Sequence, residues 1–224
     1  MIRRIALYKV KAGTPEPQVK ALEELIRTIP KNIPNVTKTS VGAASVANGS
    51  WTHFWDLELD GPNAVQAYLN HPYHLTALKG KFNRAAPGSI VEDLTMVYFT
   101  PALEGSRNAD LKRPIRRTML IQVAPQASFG QVREMEDRML EMPAMIPQIQ
   151  RWGWGRPTGD NTRYPYTFVR EHEFADEEAV QAYAVDKFHQ ETVRPKFTAL
   201  MQAGLIANWT IAWYRAPESY IRAK

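Results

Sequence analysis

The sequence predicts an α+β fold built from two copies of one unit. The segment at residues 51–74 recurs 115 residues later at 166–189, and 8 of the 24 aligned positions are identical, where composition alone would give about one or two. In each half, apolar residues follow strand and helix spacing in the order βαββαβ. We therefore expect two domains, at residues 1–101 and 114–224, joined by a polar, turn-rich linker at 102–113.

The first copy begins with a strand and a helix. Residues 2–11 alternate between apolar and polar, and a Gly-Thr-Pro turn follows them. Apolar residues at helical spacing then predict an amphipathic helix over residues 16–29, which Pro30 and Pro34 would stop. This apolar stripe consists of Val19, Leu22, Ile26 and Ile29.

A hairpin follows the helix. Residues 36–47 predict a second strand and residues 51–59 a third. Between them lies a turn cluster with the Asn48-Gly49 pair that favours a tight hairpin. Side chains alternate between the two faces of a strand, so one face of the third strand carries His53, Trp55, Leu57 and Leu59.

The first copy ends with a short helix and a fourth strand. Asp60 is predicted to cap the helix, and the Gly61-Pro62 pair opens it. Its inner face is expected to consist of Val65, Tyr68 and Leu69. Pro72 interrupts the helix, and residues 90–100 predict the fourth strand.

The second copy repeats these elements. Residues 115–123 repeat the first strand and residues 209–214 repeat the fourth; Pro143 and Pro147 repeat the helix stops after a stripe of Val132, Met135, Met139 and Met142. The order βαββαβ is that of a ferredoxin-like unit, in which a four-stranded antiparallel sheet carries both helices on one face. Because the other face is left bare, we expect the two sheets to pack together as an intrachain dimeric α/β barrel.

Composition excludes several classes of protein. The 224 residues include no cysteine, which rules out disulfides, thiolate nucleophiles and thiolate metal sites. No run of 18 apolar residues occurs, so we expect a soluble, cytoplasmic protein without membrane contact. The net charge is +5, but the basic residues are scattered apart from residues 112–117, and no nucleic-acid partner is expected.

Two residues with side chains capable of acid-base chemistry are present in both copies. Tyr68 and His74 return as Tyr183 and His189, whereas the strand histidine His53 is replaced in the second copy. Imidazole titrates near neutral pH, which makes His74 a candidate general acid or base, and Tyr68 could donate to a developing oxyanion. Structural roles are also open, because His74 could be a polar helix cap, Tyr68 a core residue and His53 a satisfied core histidine.

The motif Tyr68-Leu-Asn-His71-Pro72-Tyr-His74, preceded by His53 on the third strand, resembles that of the Dabb family, the stress-responsive dimeric α/β-barrel proteins. The resemblance covers nearly the whole chain, twice. It implies a barrel of the kind expected above. By analogy with plant polyketide cyclases of this fold, it also implies aldol cyclisation promoted by a tyrosine and a histidine without cofactor or metal. Carried over to this chain, the catalytic residues are His74, Tyr68 and His53.

Two arginines depart from the family's pattern. Where the family commonly has a histidine near the start of the first strand, this chain has Arg4 and, in the second copy, Arg117. An arginine there could bind a carboxylate or an enolate. The candidate substrate-binding residues are therefore Arg4, Trp55, His71, Tyr183, His189, Arg170 and His172.

The second copy allows two interpretations, a second site with altered chemistry or a degenerate copy that only closes the barrel. No metal site is expected at His53, His71 and His74, because two histidines three residues apart across a proline break do not share a helical face.

The sequence thus favours a cofactor-independent acid-base enzyme, of the cyclase, isomerase or lyase type, that acts on a small aromatic or polyketide-like carbonyl compound. One alternative is a non-catalytic stress-response or small-ligand-binding barrel protein. Another is a cofactor-free monooxygenase, since related barrels include such enzymes. A homo-oligomer of the two-repeat chain is also left open.

Overall fold

The computed structural model of the chain describes residues 1–44, 46–47, 51–61, 63–158 and 165–221. The chain forms two compact units; the first comprises Met1–Thr100 with Thr158, and the second begins at Pro101, inside the last strand of the first repeat. The predicted hairpin turn at residues 48–50 and the helix opening at Pro62 lie outside the described residues. Each unit contributes four main strands, which are antiparallel to their neighbours within the unit.

The first unit contains, in chain order, β1 (Ile2–Val10), α1 (Glu16–Arg27), α2 (Ile29–Asn32), β2 (Val36–Ala43), β3 (Val46–Ala47), β4 (His53–Leu59), α3 (Ala64–Asn70), a π-helical turn (His74–Leu78), a 3-10 turn (Lys79–Phe82) and β5 (Val91–Ser106). Its main sheet has the strand order β2-β4-β1-β5. Neighbouring strands are antiparallel throughout this sheet.

The second unit contains β6 (Ile115–Val123), α4 (Phe129–Met145), β7 (Arg151–Pro157), β8 (Phe168–Phe174), α5 (Glu177–Val185), a π-helical turn (His189–Val193), α6 (Arg194–Gln202) and β9 (Ile206–Arg215). Its strand order β7-β8-β6-β9 is that of the first unit, and the pairs are again antiparallel. The predicted α+β class with two ferredoxin-like repeats is confirmed. The packing of one repeat on the other stays a prediction.

The helix side of each sheet holds a hydrophobic core. In the first unit, Leu22 and Ile26 of α1 pack in one cluster with Ala6, Tyr8, Trp55 and Leu57 of the central strands. In the second unit, Met135 and Met139 of α4 pack with Met119, Ile121 and Phe168. Burial of each large side chain contributes about 1.5–3 kcal/mol. The helical stripes and strand alternation predicted from sequence therefore define these cores.

The prolines do not stop the helices where predicted. In the first repeat α1 ends at Arg27, and Pro30 lies in the first turn of α2, where a missing N–H leaves no hydrogen bond unmade. In the second repeat Pro143 lies inside α4, which continues to Met145. Because it lies near the end of the helix, Pro143 removes one hydrogen bond without preventing the last turn.

Asp60 does not cap α3 as predicted. The helix begins at Ala64 after Asn63, which makes no side-chain cap bond. The intervening Gly61 has φ 91°, so the chain turns there before the helix starts. In the second repeat, by contrast, Asp176 accepts a hydrogen bond from the amide of Ala179 at the start of α5.

The predicted linker is partly strand. β5 continues to Ser106, well past the expected start of the linker. Beyond it, the Arg107 amide donates to the carbonyl of Gln150 at 2.8 Å, and its guanidinium donates to the carbonyl of Ile146 at 3.1 Å. These bonds hold the segment against the second unit, which composition alone did not reveal. No helix in the described ranges is long and apolar enough to span a membrane.

Candidate functional site

A cavity of about 580 Å³ lies in the first unit, between β1, β4 and β5 on one side and residues 68–83 on the other. Most of its lining side chains are apolar or aromatic: Trp55, Leu69, Leu75, Leu78, Phe82, Met96 and Tyr98. The more polar ones are Arg4, Tyr68, His74, Lys79 and Asn83, and no carboxylate is among the described residues that line the cavity. This lining favours an aromatic ligand that carries or develops negative charge.

His74 reaches the cavity because the helix before it is broken. α3 ends at Asn70, and His71 is extended, with φ −66° and ψ 133°. A proline disfavours the helical conformation in the residue before it, so Pro72 accounts for this break. The chain then forms a π-helical turn that starts at His74. Turns of this kind occur frequently at functional sites.

Tyr73 anchors this turn to the end of α1. The Thr28 hydroxyl donates to the carbonyl of Leu25 at 2.7 Å, which uses its only proton. The Tyr73 hydroxyl lies 2.8 Å from Thr28 Oγ1 and must therefore be the donor in that bond. The residue before His74 is thus held at both its backbone and its side chain.

His74 is arranged to accept a proton. Its ring centroid lies 4.5 Å from that of Tyr68, and its Nδ1 lies 3.0 Å from the carbonyl oxygen of Leu69. A carbonyl only accepts, so Nδ1 carries the proton of the neutral ring and Nε2 is the free acceptor. Burial lowers the pKa of His74, Arg4 and Lys79 lower it further, and the bond to Leu69 opposes them. Neutral pH therefore favours the basic form.

Tyr68 is arranged to donate. Its side chain is 1% exposed, and its hydroxyl has no hydrogen-bond partner in the described part of the chain. Burial raises the pKa of Tyr68 well above its usual range, with Arg4 acting weakly in the other direction. The phenol therefore keeps its proton and can offer it to a ligand oxygen in the cavity.

Arg4 supplies a buried positive charge to the cavity. The strand register places it opposite Leu57 on one side and Tyr98 on the other. Its guanidinium carbon lies 3.8 Å from the ring centroid of Trp55. The side chain is 2% exposed, and its Nε and Nη1 atoms have no hydrogen-bond partner among the described residues. Stacking on an aromatic ring stabilises a cation but leaves these donors unused.

Two predicted site residues of the first repeat do not line the cavity. His53 stacks on Tyr8, with ring centroids 5.1 Å apart, and its Nδ1 lies 2.8 Å from Thr52 Oγ1. The structure therefore does not bring it to His74 as the sequence suggested. His71 accepts a hydrogen bond from the backbone amide of Tyr73 at 3.2 Å, which is a local structural contact.

No group of three or more His, Asp or Glu side chains in the described parts of the chain is placed to hold a metal ion.

The second unit repeats the Tyr–His pair, and the clefts described in this unit lie elsewhere. The ring centroids of Tyr183 and His189 are again 4.5 Å apart. Arg170, at the position of Trp55, is 3% exposed and lies among the residues that surround this pair. The clefts described in this unit measure about 10 Å³ each, and neither is lined by Tyr183, His189 or Arg170. The predicted substrate-binding residues of the second copy are thus brought together without a described cavity.

Two buried arginines of the second unit, Arg117 and Arg170, act on the buried His172 and the partly buried His189. Burial, with Arg117 nearby, lowers the pKa of Arg170 to about 9, so Arg170 stays charged at neutral pH. Burial and the two arginines lower the pKa of His189 to about 4. Burial, followed by Arg170, lowers the pKa of His172 well below its usual range. Both imidazoles are therefore neutral at neutral pH.

Phe82, Met96 and Tyr98 also line the cavity, and sequence reasoning did not identify them. Met96 and Tyr98 alternate along β5, and Tyr98 pairs with Arg4 in the register. Alternation on the fourth strand was therefore a usable signal for both. The spacing of Leu75, Leu78 and Phe82 predicts a further helical segment after Pro72, and Phe82 lies at the end of the 3-10 turn that the structure forms there.

Comparison with known proteins places the chain in one family. The family model described as "Stress responsive A/B Barrel Domain" matches residues 2–96 and 115–211, which covers both repeats. No curated protein matches the sequence significantly.

Solved structures with the same two-repeat extent show the same fold. An anthrone oxidase-like protein is 12% identical, with a TM-score of 0.67 over 100% of this chain and 96% of that chain. A candidate monooxygenase from Fusobacterium nucleatum is 13% identical, with a TM-score of 0.58 over 99% and 95%. One from Lactobacillus acidophilus is 11% identical, with a TM-score of 0.55 over 99% and 96%. At these identities the likeness concerns the fold alone.

Proposed function

The chain belongs to the stress responsive A/B barrel domain family, and from that premise we propose that its first repeat is an acid-base enzyme needing no cofactor. It acts on a small aromatic carbonyl compound by removing a proton next to the carbonyl group. The observation that carries the proposal is that His74, Tyr68 and Arg4 all line the same cavity. Cyclase, isomerase and lyase reactions can all begin with this step.

His74 is the proposed base and Tyr68 the proposed hydrogen-bond donor. The neutral His74 ring has Nε2 free to take the proton, since Nδ1 is held by the carbonyl of Leu69. As the proton leaves, negative charge develops on the carbonyl oxygen. Tyr68, whose hydroxyl is buried and unpaired, can donate to that oxygen.

Arg4 is the proposed stabiliser of the resulting enolate. Its charge lies in a cavity whose described lining residues include no carboxylate to neutralise it. Charge interactions are stronger in such a poorly hydrated place than in water. An arginine fixed on Trp55 can therefore favour the anionic intermediate over the neutral substrate, which is the requirement for faster chemistry.

The size and lining of the cavity support a small aromatic substrate. A volume of about 580 Å³ falls in the range of roughly 300–1,000 Å³ usual for ligand sites. Trp55 and Phe82 stack with ring centroids 4.8 Å apart along one wall. Planar apolar surfaces of this kind suit a ring or a folded polyketide-like chain.

A cofactor-free monooxygenase is the second candidate, and it shares the first step. Proteins named as an anthrone oxidase-like protein and as candidate monooxygenases have this fold over the same two-repeat length. A carbanion formed beside a carbonyl group can react with O2 instead of an internal carbonyl. The overall change would then convert a CH2 group and O2 into a C=O group and water.

Proton exchange tests the shared step directly. An aryl 1,3-diketone such as benzoylacetone is incubated with the protein in D2O, and loss of the signal of the proton between the carbonyls is followed by NMR. We expect exchange faster than in buffer at the same pH. Binding of the diketone without any acceleration would contradict the enzyme proposal and favour a non-catalytic ligand-binding protein.

Oxygen uptake then separates the two enzyme candidates. The same incubation is made with anthrone and followed with an oxygen electrode; the CH2 group of anthrone lies between two aromatic rings, which conjugate its anion with the carbonyl group across the central ring. Uptake that depends on the protein and on anthrone would favour the monooxygenase. Exchange at the CH2 group without uptake would favour the cyclase, isomerase or lyase type.

A further inference from the structure

The second repeat contains two buried guanidinium groups that converge on one sulfur atom. Both terminal nitrogens of Arg117 lie 3.9 Å from Met119 Sδ, and Nη2 of Arg170 lies 3.3 Å from the same atom. Nη1 of Arg170 donates to Met142 Sδ at 3.0 Å. The side chains of Arg117 and Arg170 are 7% and 3% exposed, so water does not reach them freely.

These two charges lack an acidic partner in the described part of the chain. The hydrogen-bond acceptors of both groups there are thioether sulfurs, which accept hydrogen bonds weakly. Arg117 also lies 5.4 Å from the Trp213 ring centroid and 5.9 Å from that of Tyr183, contacts that carry no full negative charge. Two like charges held together in a buried place repel one another and need a counter-charge.

Unused donors surround the same place. Nε of Arg170 and the hydroxyl of Tyr183 are buried without a hydrogen-bond partner among the described residues. Nδ1 of His172 is also buried and unpartnered there. Buried polar groups are nearly always hydrogen-bonded in native proteins, so several unpaired ones together indicate a ligand that the protein atoms do not supply.

We propose that the second repeat binds a monovalent anion of halide size between Arg117 and Arg170, at the place that Met119 Sδ occupies here. Chloride is similar in size to a thioether sulfur, so the sulfur marks space for one ion. Methionine is flexible and can turn its side chain away. Both guanidinium groups would then donate to the ion, and the Tyr183 hydroxyl lies in the same cluster.

The first repeat lacks the elements of this site. Trp55 stands where Arg170 stands in the second repeat, and Ala6 stands where Met119 stands. Arg4 therefore has no second guanidinium to share an ion with, and it faces the large cavity instead. The anion site would be specific to the second repeat and independent of the proposed chemistry in the first.

Bromide provides the test, because it replaces chloride and scatters X-rays anomalously. Crystals of the full chain grown in sodium bromide should show an anomalous peak within hydrogen-bonding distance of Arg117 and Arg170. In solution, the Tm should rise with bromide or chloride relative to sodium gluconate at equal ionic strength, as expected when a ligand binds only the native state.

Matched variants assign the effect to the site. Arg170→Met should abolish the halide-dependent rise in Tm, whereas Arg4→Met in the first repeat should retain it. If Arg170→Met does not fold, the anomalous map of the unchanged protein still decides. Absence of a peak between the two arginines, or a Tm that is the same in bromide and gluconate, would overturn the proposal.

Discussion

The two repeats share one backbone plan and one Tyr–His pair, yet only the first has a described cavity beside that pair. Ring centroids lie 4.5 Å apart for Tyr68 and His74, and again for Tyr183 and His189. In both repeats the histidine begins a π-helical turn after a short helix. The pair and its turn are therefore properties of the fold, and neither is sufficient to define a site.

The difference lies in a few side chains on the sheet. In the first repeat Trp55 lies under Arg4 and holds it flat against one wall. In the second, the residue aligned with Trp55 is Arg170, whose guanidinium reaches Met119 and Met142. His172 replaces Leu57 beside it. The comparison shows that the two repeats share their secondary structure. Different side chains on one strand face accompany a cavity in the first repeat and buried charges in the second.

Replacing the histidine of the Tyr–His pair in the first repeat should have the largest effect on activity. His74→Ala should lower the rate of proton exchange by about 10²–10⁴, the usual contribution of a positioned base. His189→Ala is the matched control and should change the rate far less, because no described cavity reaches it. Rates are measured with the same diketone by NMR. Loss of exchange in His189→Ala with full activity in His74→Ala would place the site in the second repeat.

The tyrosine of the pair should have the next largest effect. Tyr68→Phe should lower the exchange rate by about 10²-fold, since it removes one donor to the developing oxyanion. Its thermal stability should be unchanged or slightly higher, because the hydroxyl has no partner to lose. Tyr183→Phe is the control for activity. A Tyr68→Phe protein as active as the parent would exclude the proposed donor role.

Lowering the pH should destabilise the protein through His172, a residue of the second repeat that corresponds to Leu57 in the first. The pKa of His172 lies well below its usual value of 6.5 in the folded chain. The unfolded chain therefore binds the proton more readily, and stability falls as the pH drops below about 6.5. His172→Leu copies Leu57 of the first repeat and should reduce this loss. Tm measured from pH 7 to pH 5 checks it, and an equal acid loss in both proteins would contradict it.

The sequence predicted the main strands and helices and the two-repeat organisation well, because hydrophobic spacing indicates the former and the internal repeat the latter. Residues 115–123 were predicted as a strand and form β6 with the same bounds. It also identified His74, Tyr68 and Arg4, which the structure brings to one cavity. Tyr68 and His74 were identified because both recur in the second copy, and Arg4 because it stands where the family commonly has a histidine.

The sequence failed where the outcome depends on how side chains share space. His53 lies on the predicted strand face, but it stacks on Tyr8 instead of meeting His74. Phe82 packs against both Tyr8 and Trp55, and although apolar spacing predicts a helical segment there, it does not predict these contacts. The cavity beside Arg4 likewise follows from packing, which alternation patterns do not describe.

The smallest expected effect concerns the residue that positions His74. Tyr73→Phe removes the hydroxyl that donates to Thr28 Oγ1 and leaves the ring in place. The second repeat has Phe188 at this position and still forms the same π-helical turn, so the substitution should fold normally. A hydrogen bond of this kind contributes about 0.5–1.5 kcal/mol, which corresponds to a loss of about 2- to 12-fold in kcat if the whole contribution holds His74 in place. KM for the diketone should be unchanged, because Tyr73 does not line the cavity. A variant that loses thermal stability but keeps the parent's kcat would show that Tyr73 stabilises the repeat without positioning its base.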